Sequence, residues 1–219
     1  MKSIFPDPNL ATEDGLLTVG GFITPEILID AYSNGIFPWP VSVDLPLAWF
    51  SPDPRGIIDL HEFTPSKNLS KSIKQSDFEF TFNRNFEQVI KKCAKHHSRN
   101  FSEETWITPE IIEGYIALFK SGSAYSAETY LDGELVGGLY GVHIGRYFSG
   151  ESMFYEKDNA SKFALMELLK VLKNNGHAFF DTQMVTPITE RFGAKEISRK
   201  EFLSVLYRER DKKISFVFR

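Results

Sequence analysis

The chain reads as an α+β (α/β) protein, with a small N-terminal domain over residues 1–63 and a second domain over 64–219 built on a mixed, largely antiparallel sheet. Three observations predict this. Pro and Gly punctuate the first 60 or so residues, in FPDP, Gly20-Gly21, NGIFPWP and SPDPRG, and break them into short elements. From about Thr64 the hydrophobic pattern becomes regular. Strand patterns with helical patterns between them then imply helices packed on one sheet.

Each element has its own signal. Thr24 as N-cap, Pro25 at the first helical position and Asn34-Gly35 as the stop predict one helix in the N-terminal domain. SKNLSKSIKQS predicts a helix, and FEFTF a strand whose Phe78, Phe80 and Phe82 alternate onto a buried face. A helix follows through Cys93, with Phe86, Val89 and Ile90 at helical spacing; the single cysteine therefore reads as core. Thr108-Pro109-Glu110 starts the next helix, which carries Ile111, Ile112, Tyr115, Ile116 and Phe119. The period then switches to two: SAYSAETYLDGELVGGLYGVHIGRYFSGESMF reads as three antiparallel strands, with Asp132-Gly133 at the first turn and Gly145 near the second. Leu165, Leu168, Leu169 and Leu172 mark a helix ending at Gly176, and HAFFDTQM a strand after it. The tail offers one more helix and a final strand.

Composition narrows the function classes. The 20 Phe residues make aromatic pockets plausible, and no 18-residue apolar stretch is present to span a bilayer. MKSIFPDPNL lacks a signal peptide's basic segment and apolar run, so a cytoplasmic protein is expected. A monomer is the default, because no coiled-coil pattern or apolar stripe asks for a partner. The net charge of −4 is unevenly spread: residues 65–100 hold eight Lys and Arg against three acids, a local +5 that leaves −9 elsewhere. That window is either a phosphate-binding face or a pair of solvated helix faces. The histidines show no metal-ligand spacing, so neither a metal nor a cofactor is expected, and the familiar phosphate-cradling glycine motifs are missing.

Residues two apart on a strand share a side, so Asp181 and Gln183 project together while Thr182 points away. A strand emerging from a helix ends at the carboxyl edge of the sheet, where open α/β sheets place ligands. An Asp accepts protons or holds donors, whereas Gln only orients or polarises. The pair is thus a working constellation or two polar residues closing a strand. Trp49, Phe50 and Trp106 are either stacking platforms on loops or core plugs, and Glu151 within GESMF is either a partner for a cation or an ordinary strand end.

Several longer stretches are together more specific: FPDPNLATEDGLLTVGG, AYSNGIFPWP, WFSPDPRGII, ETWIT, DGELVGGLYG, FSGESMF, ASKFAL, FDTQM and FGAKEISRKEF, in order from near residue 5 to about 202. In these the chain resembles the bacterial leucyl/phenylalanyl-tRNA-protein transferase family. The resemblance implies a small N-terminal domain followed by a GNAT-like acyltransferase domain. It also implies an enzyme that moves Leu or Phe, and less readily Met, from aminoacyl-tRNA to the α-amine of proteins beginning with Arg or Lys, creating an N-terminal degradation signal. The coenzyme-A signature of GNAT enzymes is absent; KNNGHA at Lys173 ends a helix instead of starting one.

Position by position, the resemblance implies Asp181 and Gln183 as the catalytic acid and amide. Glu151, beside Gly150, is implied near the reacting amine or acceptor, and Trp106 against the terminal adenine. It implies Trp49, Phe148, Met153 and Phe180 around the amino-acid side chain. Lys67, Lys71, Lys91, Lys92 and Lys95 are candidates for the tRNA backbone. The chain departs from the family pattern at Phe22, Phe50 and Phe180 and over Thr186-Pro187-Ile188. Rival readings are a peptidoglycan-bridge aminoacyltransferase, a non-catalytic tRNA-binding module and a coenzyme-A acetyltransferase.

Overall fold

The computed structural model describes residues 3–40, 45–65, 70–71, 73, 77–100 and 105–214, except for the side chains of 97–100. The N-terminal region forms a small antiparallel sheet in the order β1-β3-β2, from β1 (Leu16–Val19), β2 (Phe37–Pro38) and β3 (Ala48–Phe50). Helix α1 (Pro25–Ser33) starts as expected, with the Thr24 hydroxyl accepting the Ile27 N–H at 3.3 Å. It stops at Asn34, and Gly35 turns away with φ +74°. A Cβ on Gly35 would lie 2.9 Å from Phe202 and Leu203, so only glycine lets the C-terminal helix pack here.

The main sheet has the order β10-β4-β9-β8-β7-β6-β5. Its strands are β4 (Arg55–Asp59), β5 (Glu79–Phe82), β6 (Ala124–Leu131), β7 (Glu134–Ile144), β8 (Tyr147–Tyr155), β9 (Phe179–Gln183) and β10 (Lys195–Ile197). Asp132 and Gly133, with φ +52° and +81°, close the β6–β7 hairpin as their positive-φ chemistry predicts. Every described pairing is antiparallel except β8 with β9. That parallel pair needs a crossover, which α4 (Ala160–Asn174) supplies. The remaining helices are α2 (Phe86–Asn100), α3 (Pro109–Lys120), the single turn α5 (Pro187–Glu190) and α6 (Arg199–Glu209).

Two differences from the sequence reading stand out. Strand β4 precedes the expected boundary at 63/64 yet lies inside the main sheet, between β10 and β9. Its IID run is too short to announce itself among the turn residues around it. The FEFTF strand is an edge strand, so Phe80 and Phe82 are only partly buried, and Phe78 lies before the strand with its ring against Phe163. Of the helix expected in SKNLSKSIKQS, Ser70, Lys71 and Ile73 are helical; the rest, like most of the expected final strand, falls outside the described residues.

Apolar packing gives the sheet two different faces. On one, α1, α2 and α3 bury Leu28, Tyr32, Val89, Cys93, Ile111 and Tyr115 against Tyr140 and Val142. On the other, α4 buries Leu165, Leu168, Leu169 and Leu172 against Leu139, Phe148 and Phe180. Helix α6 adds Phe202, Leu203 and Leu206 over Tyr147 and Phe179. Cys93 is fully buried, and burial pushes its thiol up, as a core cysteine requires. Among the described residues no helix is long and apolar enough to cross a membrane.

Candidate active site

Strands β8 and β9 pair for only three residues, with Tyr147, Phe148 and Ser149 opposite Phe179, Phe180 and Asp181. Beyond Ser149 and Asp181 they part, and β8 bulges at Glu151, which has no partner on β7 between Gly150 and Ser152. The opening lies at the carboxyl end of β9, where the sequence argument set a site, and beside the middle of β8. Side chains close what the backbone leaves open: Gln183 Nε2 donates to Glu151 Oε1 at 3.0 Å.

Asp181 sits one layer beneath, 1 % exposed. Arg55, equally buried, grips it at two points, Nε to Oδ1 at 2.9 Å and Nη2 to Oδ2 at 2.6 Å. Such a fork satisfies both charges and fixes the carboxylate plane. Asp181 Oδ1 also accepts the backbone N–H of Gln183 at 2.8 Å. The acid therefore orients Gln183 through the main chain, whereas the amide side chain reaches Glu151 instead. Ser149 Oγ lies 3.3 Å from Asp181 Oδ2 and 3.2 Å from Glu151 Oε1, and its one hydrogen serves either carboxylate at a time.

Glu151 is only partly exposed, and burial of its carboxyl is the main reason its pKa is raised to about 7. The Asp181 charge pushes in the same direction; hydrogen bonds from Tyr32, Gln183 and Ser149 oppose it. On its far side Tyr115 Oη donates to Glu151 Oε2 at 3.3 Å, and the Tyr32 and Tyr115 hydroxyls bond to each other. Burial, reinforced by the Glu151 charge, holds both phenols well above their ordinary range, so they act as neutral donors. A carboxyl that titrates near neutrality beside a polar amide has the chemistry of a proton acceptor for an amine.

The other residues singled out in the sequence fall into separate places. Phe148 and Phe180 stack with centroids 5.7 Å apart on the α4 face of the sheet, with Met153 packed against the same cluster. Gly150 lets Phe180 lie over β8, since a Cβ there would sit 2.4 Å from the ring. Trp49 is elsewhere: 1 % exposed, its indole N–H donating to the Gly20 carbonyl at 2.9 Å and its ring 4.8 Å from Phe5. Trp106 is half-buried and 6.5 Å from Trp39, which in turn meets Phe50 at 6.0 Å. Hence Asp181, Gln183 and Glu151 come together, Phe148, Met153 and Phe180 form a second group, and Trp49 and Trp106 belong to the N-terminal cluster.

The basic window is partly neutralised within the chain. Lys91 pairs with Glu87 at 2.5 Å on the exposed side of α2, and Lys92 with Glu156 at 2.8 Å while its ammonium lies 5.6 Å from the Phe154 ring centroid. Lys71 and Lys95 are exposed, and Lys67 lies outside the described residues. Sequence reasoning missed Arg55, Ser149, Tyr32 and Tyr115. Arg55 was visible only as part of the turn-rich SPDPRG, and nothing local marks a buried arginine.

The chain is similar to known proteins over most of its length. Residues 57–207 match the family model described as leucyl/phenylalanyl-tRNA protein transferase, and 21–53 match that family's N-terminal domain. A Sulfurimonas denitrificans protein named leucyl/phenylalanyl-tRNA–protein transferase is 49 % identical over 93 % of this chain and 88 % of its own. One of the same name from Nitrosospira multiformis is 45 % identical, covering 98 % and 94 %. Among solved structures, one described as the structure of L-PGS from Bacillus licheniformis is 14 % identical, covers 86 % of this chain and 71 % of its own, and superposes with a TM-score of 0.48. With a model matched over residues 57–207, a second over β2 and β3 and relatives aligned over nearly the full length, the chain belongs to the leucyl/phenylalanyl-tRNA–protein transferase family.

Proposed function

We propose that the protein transfers Leu or Phe, and less readily Met, from aminoacyl-tRNA to the α-amine of proteins beginning with Arg or Lys, using the opening between β8 and β9. The observation that carries this reading is the contact between the Gln183 amide and the Glu151 carboxyl, anchored from below by Asp181.

The reaction is aminolysis of an ester. The acceptor nitrogen attacks the aminoacyl carbonyl carbon, a C–N bond forms, and the C–O bond to the ribose breaks. The ester is already activated, so the protein's task is to position the amine and accept a proton. Gln183 Nε2 is committed to Glu151, which leaves Oε1 to accept an N–H of the amine. Glu151, titrating near 7, takes the proton the nitrogen sheds, and the departing ribose oxygen or water receives it. Asp181, paired to Arg55, serves as anchor. The apolar group of Phe148, Met153 and Phe180 suits an unbranched or γ-branched side chain; such a site sorts by volume, so rejection of Ile and Val is steric and incomplete.

The test supplies labelled Leu-tRNA and peptides that begin with Arg, Lys or Ala. Label on the Arg and Lys peptides alone is the expected result. Label on none of them rejects the reading.

A further inference from the structure

Gln183 is the strained point of the site. Its φ is +63°, a conformation that residues carrying a Cβ rarely adopt. Across it the Met184 N–H donates to the Thr182 carbonyl at 2.6 Å, closing a three-residue turn with a left-handed centre. Such a conformation persists only where the surroundings over-determine it. Here the surroundings are the first two residues of β4. Arg55 fixes the Asp181 carboxylate, and that carboxylate accepts the Gln183 N–H inside the turn. Gly56 faces Gln183 and Ile57 faces Asp181, so the register slips past Thr182 and the turn bulges toward β4. A Cβ on Gly56 would lie 2.6 Å from Thr182 Oγ1, 2.7 Å from the Met184 carbonyl carbon and 2.8 Å from the Val185 nitrogen.

We propose that Arg55 and Gly56 are positioning residues for the transfer reaction: Arg55 fixes the anion that holds the turn, Gly56 leaves the turn its space, and together they aim the Gln183 amide at Glu151. This rests on the reading of Gln183 as the group that holds the acceptor amine. Arg55 is itself fixed from three further sides, by the Gly35 carbonyl at 3.1 Å and by the Phe37 and Phe202 rings, 4.9 and 4.4 Å from its guanidinium carbon. The aim of the amide is thereby tied to the end of α1 and to α6, elements remote from the reacting atoms.

Two substitutions separate positioning from folding. Arg55→Lys keeps the charge and loses the fork, whereas Gly56→Ala adds one methyl group at a position whose φ is not left-handed. Each is measured beside wild type for kcat and peptide KM in Leu transfer to an Arg-initiated peptide, for aminoacyl-tRNA Kd, and for thermal melting. The expected result is folded protein with kcat lowered about tenfold or more, KM and Kd within about threefold, and a double variant little worse than the poorer single one, because both act through one turn. Folded variants with wild-type kcat overturn the proposal, as does a loss confined to KM or Kd. If only one variant folds, that one decides; if neither folds, the residues are structural and the proposal fails. An inactive wild type rejects the functional reading itself, while an active wild type beside fully active variants rejects this proposal alone.

Discussion

Replacing Glu151 by Gln removes a charge that the fold keeps out of water, so the variant gains stability where wild type is ionised. The native carboxyl titrates at about 7 against an ordinary 4.5. Between those values the native state holds a proton that the unfolded chain has released, so native stability falls as pH rises through the window and levels off above it. At about 1.4 kcal/mol per pH unit the whole interval amounts to about 3 kcal/mol, and nearer 2 once partial exposure is allowed for. Glu151→Gln has no such fall, and its amide still accepts from Gln183. For a chain of this size, each kcal/mol shifts Tm by roughly 2 to 4 °C. Melting followed by circular dichroism from pH 4.5 to 8.5 is expected to show the variant gaining about 4 to 8 °C over wild type across the range. Parallel melting profiles for the two proteins refute the claim that Glu151 is held protonated at mildly acid pH.

Three further outcomes follow from the same geometry. In wild type kcat/KM for a peptide acceptor climbs with pH through about 7, as Glu151 ionises, and again through the amine's own range near 8, whereas Glu151→Gln keeps only the second step; a pH–rate series distinguishes them. Phe180→Leu opens the aromatic stack with Phe148 and raises the preference for Phe over Leu by about tenfold, read from competing Phe-tRNA and Leu-tRNA. On the proposal that the exposed side of α2 meets the tRNA backbone, Lys91→Ala is expected to weaken tRNA binding and lower the slope of log Kd against log salt by about 1, measured by filter binding across a salt series; an unchanged slope makes α2 a solvated face.

The fold was legible where one periodicity ran long enough to declare itself. The β6–β7–β8 meander, the Thr24 and Thr108 caps and the α4 leucines each carry a local signal that packing then obeys. Strands β4 and β10 carry none; the main sheet accepts them through register with β9 and with each other, which is a property of the assembled sheet. The alternation rule set Asp181 and Gln183 on one side, and both do join one network. It could not foresee the left-handed Gln183 or the bulge at Glu151, because the first belongs to the slipped register of β4 with β9 and the second to that of β7 with β8. Arg55 lies 126 residues from Asp181, and no spacing rule links residues so far apart. Trp49 reads in sequence as either a stacking platform or a core plug, and its bond to Gly20 and near-complete burial mark it as the plug.

The central claim is that Gln183 holds the acceptor amine, and single-turnover transfer by Gln183→Ala tests it most directly. With Leu-tRNA bound and an Arg-initiated peptide saturating, the account predicts a rate at least about 100-fold below wild type with aminoacyl-tRNA Kd within about threefold, the signature of an interaction made to the reacting group alone. A wild-type rate in that variant, or a loss confined to tRNA affinity, contradicts it.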